Sequence, residues 1–86
     1  MGMQIENLAG TAAAAARAVL RTVLTDEGLT ADGADATATS QGDHLTVTLF
    51  PGVEIEPGLS DTLSVRALAA VRSVHRSASV IDVLLR

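Results

Sequence analysis

The sequence predicts an α+β fold, a two-layer sandwich of two helices on a three-stranded mixed sheet in the order helix, strand, strand, helix, strand. Three observations carry this reading. Two long segments space their apolar residues by three and four, three short segments alternate apolar and polar residues, and Gly, Pro and Asp cluster between them. A chain of 86 residues is too short for two ordinary domains, so residues 1–86 are read as one domain. At that size only about 60% of the unfolded chain's surface is buried on folding, and the core is thin.

In the first segment Ile5, Leu8, Ala12, Ala16, Val19 and Val23 make one helical stripe, with Ala9 and Leu20 at its margin. The opposite side carries Asn7, Thr11, Ala14, Arg17, Arg21 and Thr22. Alanine loses almost no side-chain entropy in a helix, so residues 4–24 are expected to be helical despite Gly10. Small residues on the stripe let this helix lie close against a sheet or another helix. Thr25 to Gly33 has no period and holds Asp26, Glu27, Gly28, Asp32 and Gly33, which reads as a loop.

Two strands are expected next. Residues 34–40 alternate Ala34, Ala36 and Ala38 with Asp35, Thr37 and Thr39, and residues 45–50 alternate Leu45, Val47 and Leu49 with Thr46, Thr48 and Phe50. The polar turn Gln41, Gly42, Asp43 between them makes an antiparallel hairpin the most economical connection. Pro51, Gly52, Pro57 and Gly58 bracket Val53, Glu54, Ile55 and Glu56. That segment either extends the second strand past a bulge or forms a loop pinned by Val53 and Ile55.

The second helix has Leu59, Leu63, Ala67, Ala70, Val71 and Val74 on its stripe. Ser60 is the expected N-cap, with Asp61 in the first turn and Arg72, His75 and Arg76 in the last, where cations suit the helix dipole. Residues 80–85 form the last strand, with Ile81, Val83 and Leu85 on one side and Val80, Asp82 and Leu84 on the other. A right-handed crossover returns it to the sheet, either parallel to the second strand or at the other edge.

Composition narrows the function classes. With no cysteine, the chain has no disulfide framework, thiolate zinc site, self-contained iron–sulfur cluster or cysteine nucleophile. The single aromatic residue is Phe50. A net charge of -4 argues against nucleic acid or anionic lipid as a partner, since both need a basic surface. The run Ala12 to Ala16 has an acid before it and Arg17 after it. It is therefore neither a signal peptide nor a membrane span, and a cytoplasmic location is expected. All of the ten acidic residues except Glu6 and Asp82 lie between Thr25 and Asp61, and all six arginines lie outside that stretch. The helices are expected to carry a positive outer face and the hairpin with its loops a negative end.

Two family resemblances accompany this architecture. Asp32-Gly33-Ala34-Asp35, the hairpin around Gly42-Asp43, the strand ending near Leu49, and then Gly52, Pro57, Ser60 and Thr62-Leu63 resemble the NifU-type scaffold domain of iron–sulfur assembly. That family places two cysteines of a C-x-x-C arrangement between Gly52 and Ser60, where this chain reads Val53-Glu54-Ile55-Glu56-Pro57-Gly58-Leu59. The resemblance therefore implies, as the alternative reading of function, a cysteine-less relative that binds a client protein without carrying a cluster. Val47-Thr48-Leu49, Gly52-Val53-Glu54-Ile55, an amphipathic helix and the closing Val80-Ile81-Asp82-Val83 are similar to the last part of alkaline-shock or envelope-stress proteins. Leu8-Ala9-Gly10-Thr11-Ala12-Ala13 is similar to that family's helical opening. This second resemblance implies a non-enzymatic protein that associates with itself or with membrane-anchored partners.

Candidate chemistry is sparse. Glu54 and Glu56 share one side of an extended segment, which suits a cation or acid–base work, but with no third ligand nearby they read as its solvent side. His44 reads as a hairpin residue and His75 as a helix-end cation, with no nucleophile or ligand set around either. Asp32, Asp35 and Asp43 do not meet the spacing of a calcium loop, and no lysine follows a glycine-rich turn to hold a phosphate.

The expectation is therefore a non-enzymatic interaction or assembly domain without cofactor or metal. Its partners are expected to be itself or another protein, as a homo-oligomer or a subunit of an assembly. The predicted contact residues are Val65, Leu68, Arg72 and Arg76 on the second helix, apolar residues with an arginine rim, and Val80, Asp82 and Leu84 on the last strand, which has two apolar sides and one helix layer to cover it.

Overall fold

The computed structural model describes the backbone of residues 3–86 and the side chains from residue 9 onward. The elements run α1 (Met3–Asp26), β1 (Asp35–Gln41), β2 (His44–Phe50), α2 (Pro57–Val74) and β3 (Val80–Leu85). The sheet has the order β1-β2-β3, with β1 antiparallel and β3 parallel to the central β2. Of the two placements left open for the last strand, the one beside β2 is found. The α+β sandwich expected from the periodicity is the observed fold.

The strand alternation sets the core. Ala36 and Ala38 stand opposite Leu49 and Val47, while Leu45, Val47 and Leu49 stand opposite Ile81, Val83 and Leu85. All of these side chains face one layer, where α1 covers β1 and β2 and packs against α2, and α2 covers β3. Leu20, Leu24, Val47, Leu49, Leu63 and Val71 are the largest fully buried side chains. Ala12, Ala16, Ala36 and Ala67 are buried between them, and their small size lets the layers approach closely.

Four local expectations need correction. The buried face of α1 is turned toward Ala12, Ala16, Leu20 and Leu24, with Val23 beside them, while Val19 is only half-buried. The reason is that α1 has two neighbours to satisfy, the sheet and α2, which widens its apolar face. The stripe members Ile5 and Leu8 lie outside the side chains described. On α2 the buried residues are Leu63, Ala67 and Val71, whereas Val74 is exposed at the helix end.

The start of α2 is also earlier than expected. Pro57 occupies the first turn, Glu56 sits at the N-cap position with φ -70 and ψ 152, and no side chain caps the helix. Ser60 is already inside, its N–H donating to the Glu56 carbonyl at 2.9 Å. Proline lacks the N–H that a helix start leaves unpaired, and its φ is already helical.

His75 is not an exposed cation. It follows the last helical residue, its N–H donates to the Val71 carbonyl at 2.9 Å, and its side chain is only 8% exposed. It is buried because the link into β3 folds beneath the hairpin turn, where the Asp43 carbonyl accepts from the N–H of Ser79 at 3.0 Å.

Of the two readings left open for the segment after β2, the loop is found, with Pro51 buried and Val53 and Ile55 half-buried against the core. Gly52 has φ +77, and a Cβ there would lie 2.9 Å from the Gly33 carbonyl oxygen. The two loops leaving α1 and β2 touch backbone to backbone at this point, which glycine alone permits.

Candidate interaction surface

Both helices lie on one side of the sheet, so its other side is bare. The register builds that surface in rows: Thr37, Thr48 and Leu84; Thr39, Thr46 and Asp82; Gln41, His44 and Val80. Four threonines occupy the middle of it. Around them Phe50, Val80 and Leu84 are 38%, 44% and 45% exposed. His44 Nε2 lies 2.8 Å from Asp82 Oδ2, bridging β2 and β3 diagonally. Both side chains are about half exposed, and such surface pairs contribute roughly 0–1 kcal/mol.

The two sheet edges differ. On β1 the N–H of Ala36 donates to Asp35 Oδ1 at 2.8 Å, and its carbonyl accepts from Arg17 Nη2 at 3.2 Å. Arg17 Nε also donates to Asp35 Oδ1 at 2.8 Å, and Arg21 Nη2 reaches the Ala34 carbonyl at 3.5 Å. The Ala36 N–H, with the Arg17 guanidinium after it, holds the Asp35 carboxyl below its ordinary value. Arg17 and Arg21 therefore do not extend a positive outer face as expected. They reach across from α1 and close β1's edge at Ala36.

The edge of β3 is open. The N–H of Val80 reaches the Asp43 carbonyl at 3.4 Å and that of Arg86 reaches the Leu49 carbonyl at 2.9 Å. In a parallel ladder anchored this way, even-numbered residues turn their backbone groups to β2, and Ile81, Val83 and Leu85 turn theirs outward. No other described strand meets them.

The seven predicted contact residues do not form one patch. Val65, at 65% exposure, and Leu68 lie with Arg72 on the solvent side of α2. Val80, Asp82 and Leu84 lie on the opposite, bare face of the sheet, and the two groups meet only around the β3 edge. Arg72 is also tied to its own chain, its Nη1 donating to the Ala78 carbonyl at 2.6 Å. Arg76 is exposed in the turn beyond α2. The partly closed edge of β1 and the open edge of β3 are not legible in the sequence, because which arginine reaches which carbonyl depends on the α1–β1 docking.

The acidic residues gather elsewhere. Glu27, Glu54 and Glu56 rim an open cleft floored by Leu29, Ile55 and Leu59. Among the described residues, no three His, Asp or Glu side chains converge closely enough to hold a metal ion. His44 and His75 border a small cavity with Ser40, Asp43 and Ser77, yet His75 Nε2 is buried with no hydrogen-bond partner among the described residues. No described helix is long and apolar enough to cross a membrane. The sequence matches no protein-family model, and no curated protein is significantly similar to it.

Proposed function

We propose that this is a non-enzymatic interaction domain that works by protein contact, with a second copy or within a larger assembly, through the bare face of its sheet and the adjoining β3. The observation that supports this most is the bare face itself. Phe50, Val80 and Leu84 stand partly exposed around a threonine centre on a sheet whose other side carries the core beneath both helices. A face of small β-branched side chains rimmed by larger apolar ones is a surface on which another layer can pack.

The test is the mass of the protein by light scattering across a concentration series, alone and with co-purified proteins, for the natural chain and for a Phe50→Thr, Leu84→Thr double variant. Both positions are exposed strand sites, and threonine keeps their β preference. The expected outcome is association in the natural chain that the double variant loses while its melting temperature stays within a few degrees. A natural chain that is monomeric and partnerless under all conditions removes the proposal.

A further inference from the structure

We infer that the open edge of β3 receives an extended peptide segment as a fourth strand, that this segment is not a second copy of this domain, and that it carries a basic residue facing Asp82. This rests on the interaction reading above and specifies the partner at one part of that surface.

The choice of edge follows from the hydrogen bonds. β1 has both edge groups of Ala36 occupied by Asp35 and Arg17, which leaves only Ala38 and Ser40, beside the hairpin turn, open to another strand. β3 keeps the outward N–H and C=O groups of Ile81, Val83 and Leu85 for another strand.

Packing decides what kind of strand. Antiparallel pairing of β3 with a second β3 would put both helix layers on the same side of the joined sheet. Paired strands sit about 4.8 Å apart. Since each α2 covers its own β3, the two α2 helices would arrive roughly that close, well inside the 8–10 Å or so that packed helices need. A bare segment, with no helix riding on it, meets no such obstacle.

The side chains of β3 set the chemistry of the segment. On the bare face they read Val80, Asp82, Leu84, so the complement at alternate positions is apolar, basic, apolar. His44 takes only Oδ2 of Asp82, and Oδ1 makes no hydrogen bond among the described residues. On the helix side the added strand would lie beneath the flank of α2. Arg66 and Ala69 line the groove toward α1, so helical geometry turns Leu68 the other way, over the β3 edge. Apolar residues at the intervening positions would cover it.

The probe is a synthetic peptide, acetyl-Ser-Val-Ile-Lys-Val-Val-Ser-amide, with a twin carrying Glu in place of Lys, titrated to millimolar concentration against the full chain and followed by backbone amide NMR. Expected are shifts and slowed exchange at the amides of Ile81, Val83 and Leu85, with the Glu peptide weaker by about fivefold or more, as like charges facing across strands repel. Asp82→Lys should reverse that preference, and His44→Ala should leave it in place. Equal binding of both peptides, or perturbation confined to Ala38 and Ser40 on β1, overturns the inference.

A second arm separates this from the broader reading. If neither peptide binds while the natural chain still associates, and the amides of Ile81, Val83 and Leu85 become protected as protein concentration rises, β3 pairs with its own copy, and the inference falls while the interaction domain stands. If the peptides fail and the protein neither associates nor finds a partner, both fall.

Discussion

At position 75 a basic residue just past an amphipathic helix looks like a cation placed for the helix dipole, and that local signal points the wrong way. Burial of His75 depends on Ser77 to Ser79 passing under the hairpin turn, where Ser79 meets Asp43, 36 residues away, a contact that no local spacing records. The outcome is an occluded Nε2 without a partner among the described residues. An unsatisfied buried polar group costs about 1–3 kcal/mol, and replacing it with an apolar group of similar shape removes that cost. His75→Leu is therefore expected to leave stability unchanged or raise it by about 1–2 kcal/mol, read from the urea midpoint at neutral pH. A loss of more than about 1 kcal/mol would mean that the imidazole makes a bond that has been missed.

Asp35 is the converse, a residue whose alternation was legible but whose partner was not. Its carboxyl is held below the ordinary 3.8 chiefly by the Ala36 N–H and then by Arg17. A lowered folded-state value stabilises the fold where the group is ionised in both states, above the ordinary value, and that contribution fades as pH falls through the folded value. Asp35→Asn can keep the bond from Ala36 but not the charge. The difference in urea midpoint between the natural chain and Asp35→Asn is expected to be constant near neutrality and to close as pH drops below 3.8. A gap that persists unchanged at pH 2 would assign the effect to something other than ionisation.

Among the elements, the strands were the most legible, because a period of two fixes which side is buried whatever covers it. Ile81, Val83 and Leu85 face inward as their alternation requires, and so do Leu45, Val47 and Leu49. Helix boundaries were less so. Ser60 and Asp61 form a good cap signal, but Pro57 starts the helix a turn earlier, and sequence alone does not rank the two. The loops carried the least signal. Gly33 and Gly52 are two of seven glycines, and nothing in the sequence says that these two touch. Their contact leads to an element-scale prediction. Gly52→Ala forces a side chain into a backbone with φ +77 and places its Cβ 2.9 Å from a carbonyl oxygen that belongs to the other loop. The expected loss is about 1–3 kcal/mol, read by thermal or urea unfolding. Gly42→Ala, with φ +65 but nothing within 4 Å, isolates the conformational part, about 1–2 kcal/mol. If the two variants lose equally, the loops do not hold each other at this point.

For the whole molecule, the layer count was readable because two apolar helix stripes and three strands have few ways to cover one another. The asymmetry of the edges was not, since it arises when α1 docks and brings Arg17 to β1. That asymmetry makes hydrogen exchange along β3 informative residue by residue. The amides of Asp82 and Leu84 point to β2 and should be protected at every protein concentration, since that pairing is internal to the domain. The amides of Ile81, Val83 and Leu85 point outward and should exchange fast in the isolated protein at every concentration, even where light scattering shows association through the bare face. Stacking on that face covers Phe50, Val80 and Leu84 but supplies no acceptors to the edge. Salt should weaken such stacking only partly, because screening reaches exposed charges such as Asp82 and leaves the apolar burial in place. Protection of Ile81, Val83 and Leu85 that grows with protein concentration would mean that two copies do share one sheet, and that α2 yields enough room at the β3 edge for its counterpart.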